Sequence, residues 1–362
     1  MALYDKEELG RFVQDTFLRL GCREDDVRKA TETLLAADMR GVDSHGVARL
    51  KGYVNLLKQG RINPTPHVTV EHETPSTAVI NADSGLGLYV SNEAMQIAIK
   101  KAEIAGTGWV AVKNSTHYGI AGFHAMQALK HDMIGLSMTN ASPLVSPTFS
   151  RERLLGTNPI AVAIPAGKEP PFVADFATTT VANGKLEILQ RKGEPAPIGW
   201  IQDEEGRPTQ NASALKNGGA LLPLGGDRIT GSHKGYCLGA IVDIWSGVLS
   251  GANFGPWVPP FVSFMAPSEE QVGAGIGHFF GAMRVDAFRK KEAFKKSMDT
   301  WIQRFRSSST IGHERKVYIP GDQERSYEHA RNESGIPVNT KVEQDLMSIA
   351  EELEIAPPTP RN

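Results

Sequence analysis

At 362 residues, 40% hydrophobic and 22% charged, the chain has room for about two domains of ~150 residues and an ordinary globular composition, which excludes wholesale disorder and a membrane bundle. A formal net charge of −2, with its Lys and Arg spread along the chain, gives no electrostatic footprint for nucleic acid or an anionic membrane, so neither is expected as a partner. No secretion-type apolar segment follows Met1, no run reaches the ~18 apolar residues of a spanning helix, and Cys22 and Cys237 have neither metal-type spacing nor a bridge framework, so a cytoplasmic protein is expected.

Leu9, Phe12, Phe17 and Leu20 fall at helical spacing in residues 5–20, with Asp5 and Glu8 as a capping box and Gly21 as a stop. Val27, Ala30, Leu34 and Ala37 predict a second helix over 26–40. Val47, Leu50, Val54 and Leu57 predict a third, from Asp43-Ser44 to Gly60. After Asn63-Pro64-Thr65-Pro66 the pattern changes to β-branched runs at 77–81, 109–112 and 134–138, alternating with helical segments at 91–105 and 120–131. This is mixed α/β structure, and a new domain is expected to begin there. Residues 286–305, with Phe288, Phe294, Met298 and Trp301, and residues 341–354 read as amphipathic helices; the tail 357–362 reads as frayed.

No G-x-G-x-x-G stands between a strand and a helix. Gly106-Thr107-Gly108 follows a helix and precedes a strand, and Gly273-Ala274-Gly275-Ile276-Gly277 opens no helix. Walker, H-E-x-x-H and G-x-S-x-G motifs are absent as well.

Three groups of residues could carry chemistry. In Asp43-Ser44-His45-Gly46-Val47-Ala48-Arg49, the predicted helix start offers unpaired N–H groups, and His45, Arg49 and Tyr53 fall on one face at i, i+4, i+8. Arg49 adds a guanidinium fork, which makes a cradle for a carboxylate. The same residues also serve as an N-cap, a solvated arginine and a helix neighbour, and the pattern alone does not choose. Asn114-Ser115-Thr116-His117-Tyr118-Gly119 is a polar loop between a strand and a helix, and its imidazole suits proton transfer near neutrality, although a loop histidine bonded to backbone reads the same way. His117, His124 and His131 recur every seven residues, too far apart for one metal ion, so no metal site is expected. The third group is Gly156-Thr157-Asn158-Pro159, Asp175-Phe176-Ala177-Thr178 and Gly231-Ser232-His233-Lys234-Gly235-Tyr236, where glycines, small polar residues and one lysine suit either phosphate approach or plain turns.

Together with Gly60-Arg61-Ile62-Asn63-Pro64 and Ile319-Pro320-Gly321, these motifs resemble the type 2 malate/L-lactate dehydrogenase family, which includes L-sulfolactate, ureidoglycolate and diketogulonate relatives, over about residues 5–340. The resemblance implies an α/β (α+β) fold: a mostly antiparallel, non-Rossmann NAD(P)-binding and catalytic domain over 67–305, and a small helical domain from 1–66 with about 306–362. It implies a homodimer that uses NAD or NADP to interconvert a small 2-hydroxy and 2-oxo acid. By the same resemblance His117 donates or accepts the proton, with Ser44 and His45 beside it; Arg49, Tyr53, Asn140, Thr157 and Asn158 hold the substrate; and His45, Asp175, Phe176, Ala177, His233, Lys234, Gly235, Thr310 and Gly312 hold the cofactor. Ala141 offers little to an amide-bearing substrate, which favours malate or sulfolactate over ureidoglycolate, lactate or diketogulonate. Two other classes remain: a metal-dependent hydrolase or aldolase built on His45, His117 and nearby acids, and a non-catalytic ligand-binding protein.

Overall fold

A computed structural model describes residues 1–262, 265–312 and 315–361. A short strand, β1 (Ala2–Tyr4), leads into α1 (Lys6–Arg19) and α2 (Glu24–Met39). The predicted stripes are the buried ones: Leu9, Phe12 and Phe17 on α1 and Val27, Ala30 and Leu34 on α2, each large side chain contributing roughly 1.5–3 kcal/mol by leaving water. The capping box does not form. Asp5 sits at the N-cap of α1 without a side-chain capping bond to the helix, and the Glu8 carboxylate instead accepts from Arg11 and from the backbone N–H of Thr359. That contact helps hold down the tail expected to fray: the Arg361 N–H reaches the Leu3 carbonyl and its guanidinium pairs with Asp5 at 2.8 Å. Asn362 lies outside the described residues.

The third helix starts later than its apolar pattern suggests. Residues 43–45 and 47–49 form two 3₁₀ turns joined at Gly46, and α3 (Leu50–Lys58) begins only at Leu50. Asp38 is the cause: its buried carboxylate accepts the Val47 N–H at 2.8 Å, fixing a bend where a continuous helix would run. His45 and Arg49 therefore do not share an α-helical face, and no α-helix N-terminus lies at Ser44.

The chain continues through β2 (Thr69–Glu73), β3 (Thr77–Asn81), α4 (Gly87–Ala105), β4 (Thr107–Ser115), α5 (Ala121–Met126), β5 (Met133–Thr139), β6 (Ile160–Ile164) and β7 (Phe172–Phe176). The segment predicted as one helix over 120–131 is α5 followed by a 3₁₀ turn. Next come α6 (Asn183–Lys192), the short strands β8 (Ile201–Gln202), β9 (Pro208–Thr209) and β10 (Ala220–Leu221), α7 (Ser232–Asp243), β11 (Ile276–Arg284), α8 (Lys291–Arg306), α9 (Asp322–Ser334), β12 (Ile336–Val338) and α10 (Thr340–Leu353).

Seven strands form the main sheet, in the order β2-β3-β4-β11-β5-β6-β7. Only β3–β4 is parallel, its crossover being α4; the other five pairs are antiparallel. Alternation along β11 divides the layers, because Phe280 faces a core shared with α1, α2, α4 and α10 while Phe279 packs with Val242 of α7 on the other side. The pairing of β1 with β12 brings the two ends of the chain together. Gly106 is the left-handed C-cap of α4, which accounts for a glycine there without a nucleotide. No helix among the described residues is long and apolar enough to cross a membrane.

Candidate active site

His117 leaves the end of β4 in a loop pinned to the start of α4. The Gly87 N–H donates to the Thr116 hydroxyl at 3.0 Å, and that hydroxyl donates to the Gly85 carbonyl at 3.1 Å. A Cβ on Gly87 would overlap the Thr116 carbonyl, so glycine is what lets helix and loop meet this closely. The His117 ring lies between two others, His45 at 5.6 Å and Phe261 at 4.6 Å between centroids, both at 27°. Its Nδ1 shares a hydrogen with the Tyr53 hydroxyl across 2.6 Å. Nε2 has no partner among the described residues, which leaves it as the nitrogen available to a ligand.

His45 is held in turn by the Ser44 hydroxyl, 2.9 Å from its Nδ1, and Arg49 Nε donates to the Ser44 carbonyl at 2.6 Å. The terminal nitrogens of Arg49 carry no protein partner among the described residues. The structure thus brings Ser44, His45, Arg49, Tyr53 and His117 together, by a bent segment rather than the helical face that their spacing suggested. Burial pushes the His117 pKa well below the usual imidazole value, helped by His45, Arg49 and His278; burial and then Arg49 take His45 down to about 4. Both rings are neutral at pH 7.

The bend carrying Ser44 and His45 is clamped from behind. Arg331 of α9 bonds the Asp38 carbonyl and the Asp43 carboxylate, and the Asp38 carboxyl group occupies the space that a Cβ on Gly46 would need. Gly46→Ala is therefore expected to destabilise the protein by about 1–3 kcal/mol through overpacking, read as a lower melting temperature. It should also cut kcat/KM by about tenfold or more as Ser44 and His45 move. Wild-type kinetics in this variant would show that the bend does not set the site.

Beside His117 lies a cavity of about 440 Å³, walled by Ser115, Thr116, His117, Arg61, Trp257 and Phe261 among others. Sequence reasoning missed Phe261 and Trp257, since no local pattern ties them to a loop about 140 residues earlier. It quoted Arg61 only as part of a motif.

Three of the small-residue motifs meet on the far side of the sheet. The Thr178 N–H donates to the Thr157 carbonyl and the Leu224 N–H to the Thr178 carbonyl, both at 2.9 Å. Leu224 fills the space beside Gly235, and the Asn158 amide donates to the Gly239 carbonyl. Asp175 and Phe176 are exposed at the end of β7, with Asp175 accepting the Gly122 N–H of α5 at 2.7 Å. Lys234 is exposed at the start of α7, and His233 Nδ1 lies 2.9 Å from the Arg228 guanidinium. Thr310 and Gly312 are exposed, the Thr310 hydroxyl and the Arg315 N–H both donating to the Gly312 carbonyl; among the described residues no hydrogen bond joins them to these motifs. Asn140 and Asn158 are buried and occupied: Asn140 accepts the Gly277 N–H and donates to the Asn253 carbonyl, and Asn158 accepts the Ala141 N–H. Among the described residues no three His, Cys, Asp or Glu side chains cluster as metal ligands, which leaves the metal-dependent hydrolase reading without a donor set.

The sequence profile described as Malate/L-lactate dehydrogenase matches residues 4–347. A malate dehydrogenase of Pyrococcus horikoshii is 41% identical over 351 residues, 97% of this chain and 95% of that one. An L-sulfolactate dehydrogenase of Methanocaldococcus jannaschii is 36% identical over 345 residues, 95% of each. The solved malate dehydrogenase of Entamoeba histolytica superposes with a TM-score of 0.91 at 32% identity, covering 99% of both chains. With the family profile, the fold and nearly full-length similarity in agreement, the chain belongs to the malate/L-lactate dehydrogenase family.

Proposed function

We propose that this enzyme is an NAD(P)-dependent 2-hydroxy acid dehydrogenase acting on malate/oxaloacetate or sulfolactate/sulfopyruvate. The observation that carries the assignment is His117 itself, a neutral imidazole fixed through Nδ1 by Tyr53, with Nε2 unpartnered and a free guanidinium, Arg49, within electrostatic reach. When bound, the nicotinamide supplies or removes the hydride. Arg49 holds the acid's carboxylate, and Ser44 and His45 keep the reacting carbon beside His117. To take a hydroxyl proton, Nε2 needs its lone pair, so the ring hydrogen sits on Nδ1, and the Gly119 N–H 3.4 Å from that nitrogen makes no hydrogen bond to it in this state. The Tyr53 oxygen accepts that hydrogen, while its own goes to the His117 carbonyl 3.4 Å away. Phe261 and His45 cover both faces of the ring and keep bulk water off them.

The residues suit a dinucleotide. Among the described residues, Lys234 is exposed without an ion-pair partner, and Asp175 has a second carboxylate oxygen that no protein donor uses. Asp175 to Ala177 and His233 to Gly235 would hold the dinucleotide, with Thr310 and Gly312 completing the set by family resemblance. This site lies on a mostly antiparallel sheet, not the parallel sheet of a Rossmann domain. In the same reading, residues 67–305 form the nucleotide-binding and catalytic domain, residues 1–66 with about 306–362 form the helical one, and the protein works in the cytoplasm. Oxaloacetate, sulfopyruvate, pyruvate, oxalurate and diketogulonate, each offered with NADH and with NADPH and followed by cofactor absorbance, test the assignment. Failure of all of them would favour a protein that binds ligands without catalysis.

The homodimer implied by the family has a seat available. Ile241, Ile244, Trp245, Val248 and Leu249 form an exposed apolar ridge along α7 and the π-turn that follows it. Light scattering should give twice the chain mass, and Ile244→Glu should shift it to the monomer; a dimer unaffected by that charge uses another face.

A further inference from the structure

Among the described residues, the wall of the cavity beside His117 holds no acidic side chain, and its one formally charged side chain is Arg61. Backbone packing fixes where this arginine stands: Gly60 turns the chain at the end of α3 with φ +67, the Arg61 N–H bonds the Leu56 carbonyl, and Ile62 is fully buried. One guanidinium nitrogen donates to the Pro260 carbonyl at 3.1 Å. The rest has no protein partner among the described residues. Arg49 aside, several other buried or half-buried arginines have a carboxylate or two carbonyls as partners: Arg40 has Glu328, Arg325 has Asp322, Arg306 has Glu169 and Asp322, and Arg153 gives two bonds to carbonyls. Arg61 is half-buried with no carboxylate beside it, and burial alone lowers its pKa. A desolvated cation without a counter-charge is costly unless a ligand brings one.

The geometry points to Arg61 as the residue that reads a second anionic group on the substrate, selecting carboxylate- or sulfonate-bearing 2-oxo acids over monocarboxylic ones. This rests on the dehydrogenase reading above. Arg49 is tied through Nε to Ser44, whose hydroxyl holds the His45 ring stacked on His117, whereas Arg61 stands in the cavity wall bonded to the Pro260 carbonyl. The carboxylate adjoining the carbonyl belongs to Arg49, and the anion at the far end of the acid falls to Arg61. Ser84, Asn114 and Ser115 share the wall, but their polar groups are bonded within the protein, Ser84 to Asn114, Asn114 to Asn81 and Ser115 to His278, which leaves the anion to Arg61.

The test compares oxaloacetate with pyruvate in wild type, Arg61→Gln and Arg61→Lys. In the wild type kcat/KM should favour oxaloacetate by roughly 10²-fold, as a desolvated charge-paired hydrogen bond does. Arg61→Gln should erase that preference and leave pyruvate within about threefold; Arg61→Lys, which keeps the charge if the glutamine variant folds poorly, should retain part of it. An equal loss on both acids, with lowered melting temperature, would make Arg61 a strap for the 260 segment and overturn the inference. So would a weakened Kd for NADH or NADPH, by protein fluorescence, with acid preference intact, which would give the guanidinium to a dinucleotide phosphate. Calorimetry with succinate and butyrate separates the inference from the reading beneath it. If no 2-oxo acid turns over but succinate binds more tightly than butyrate and Arg61→Gln abolishes the difference, the dehydrogenase reading falls and the Arg61 site stands. Equal binding of the two acids to the wild type sinks the Arg61 site.

Discussion

His117→Ala lowers turnover of the 2-oxo acid by ~10²- to 10⁴-fold, the usual worth of a positioned proton donor, while cofactor still binds. The nicotinamide and Arg49 remain in place, so the loss falls on kcat more than on the Michaelis constant. Direction of reaction and pH separate this role from a structural one. Burial keeps His117 neutral well below the usual imidazole range. The base form is therefore already populated in the free enzyme, and kcat/KM for oxidation of the hydroxy acid stays flat across pH 6–8. Reduction needs the protonated ring, whose population above its pKa drops tenfold per pH unit, so kcat/KM for reduction falls with that slope over the same range. If turnover survives the alanine, or reduction is as flat as oxidation, the proton comes from another group.

How the site was legible in the sequence explains why its geometry was not. Ser44, His45, Arg49, Tyr53 and His117 are polar groups near element boundaries that caps and loops use as readily as sites do, and the family resemblance is what chose the functional reading. Their arrangement was read from a continuous helix, and Asp38, a buried acid at the end of the preceding helix, replaces that helix with two 3₁₀ turns. A tertiary contact of this kind overrides a correct apolar stripe, and nothing local announces it. The stripe itself, Val47, Leu50, Val54 and Leu57, does go into the core. Phe261 reaches His117 only through the folded chain, and the docking of Arg331 on Asp43 joins segments 288 residues apart. The antiparallel sheet followed from family resemblance, since short apolar runs carry alternation but not direction. Likewise Asn140 and Asn158 looked like ligand-binding amides, whereas their bonds are to the protein's own backbone.

Arg49→Lys tests the other half of the arrangement, because it keeps the charge and removes the fork. In the structure Nε is committed to the Ser44 carbonyl while the two terminal nitrogens are left for a ligand. One guanidinium therefore does two jobs at once: it holds the backbone of the catalytic segment and presents a planar pair of donors to a carboxylate. A lysine ammonium is a single point and cannot reach both. If it turns to the substrate, Ser44 and His45 lose their tether; if it stays on the carbonyl, the carboxylate loses its clamp. The Michaelis constant for the 2-oxo acid should rise by about 10- to 10²-fold, matching the loss of one or two charge-assisted hydrogen bonds, with a smaller fall in kcat and unchanged cofactor affinity. Arg49→Gln, which removes the charge as well, should be worse on the same scale. A Michaelis constant that does not move in either variant would mean that the carboxylate sits elsewhere, with Arg61, which lines the cavity beside His117, the next cation to test.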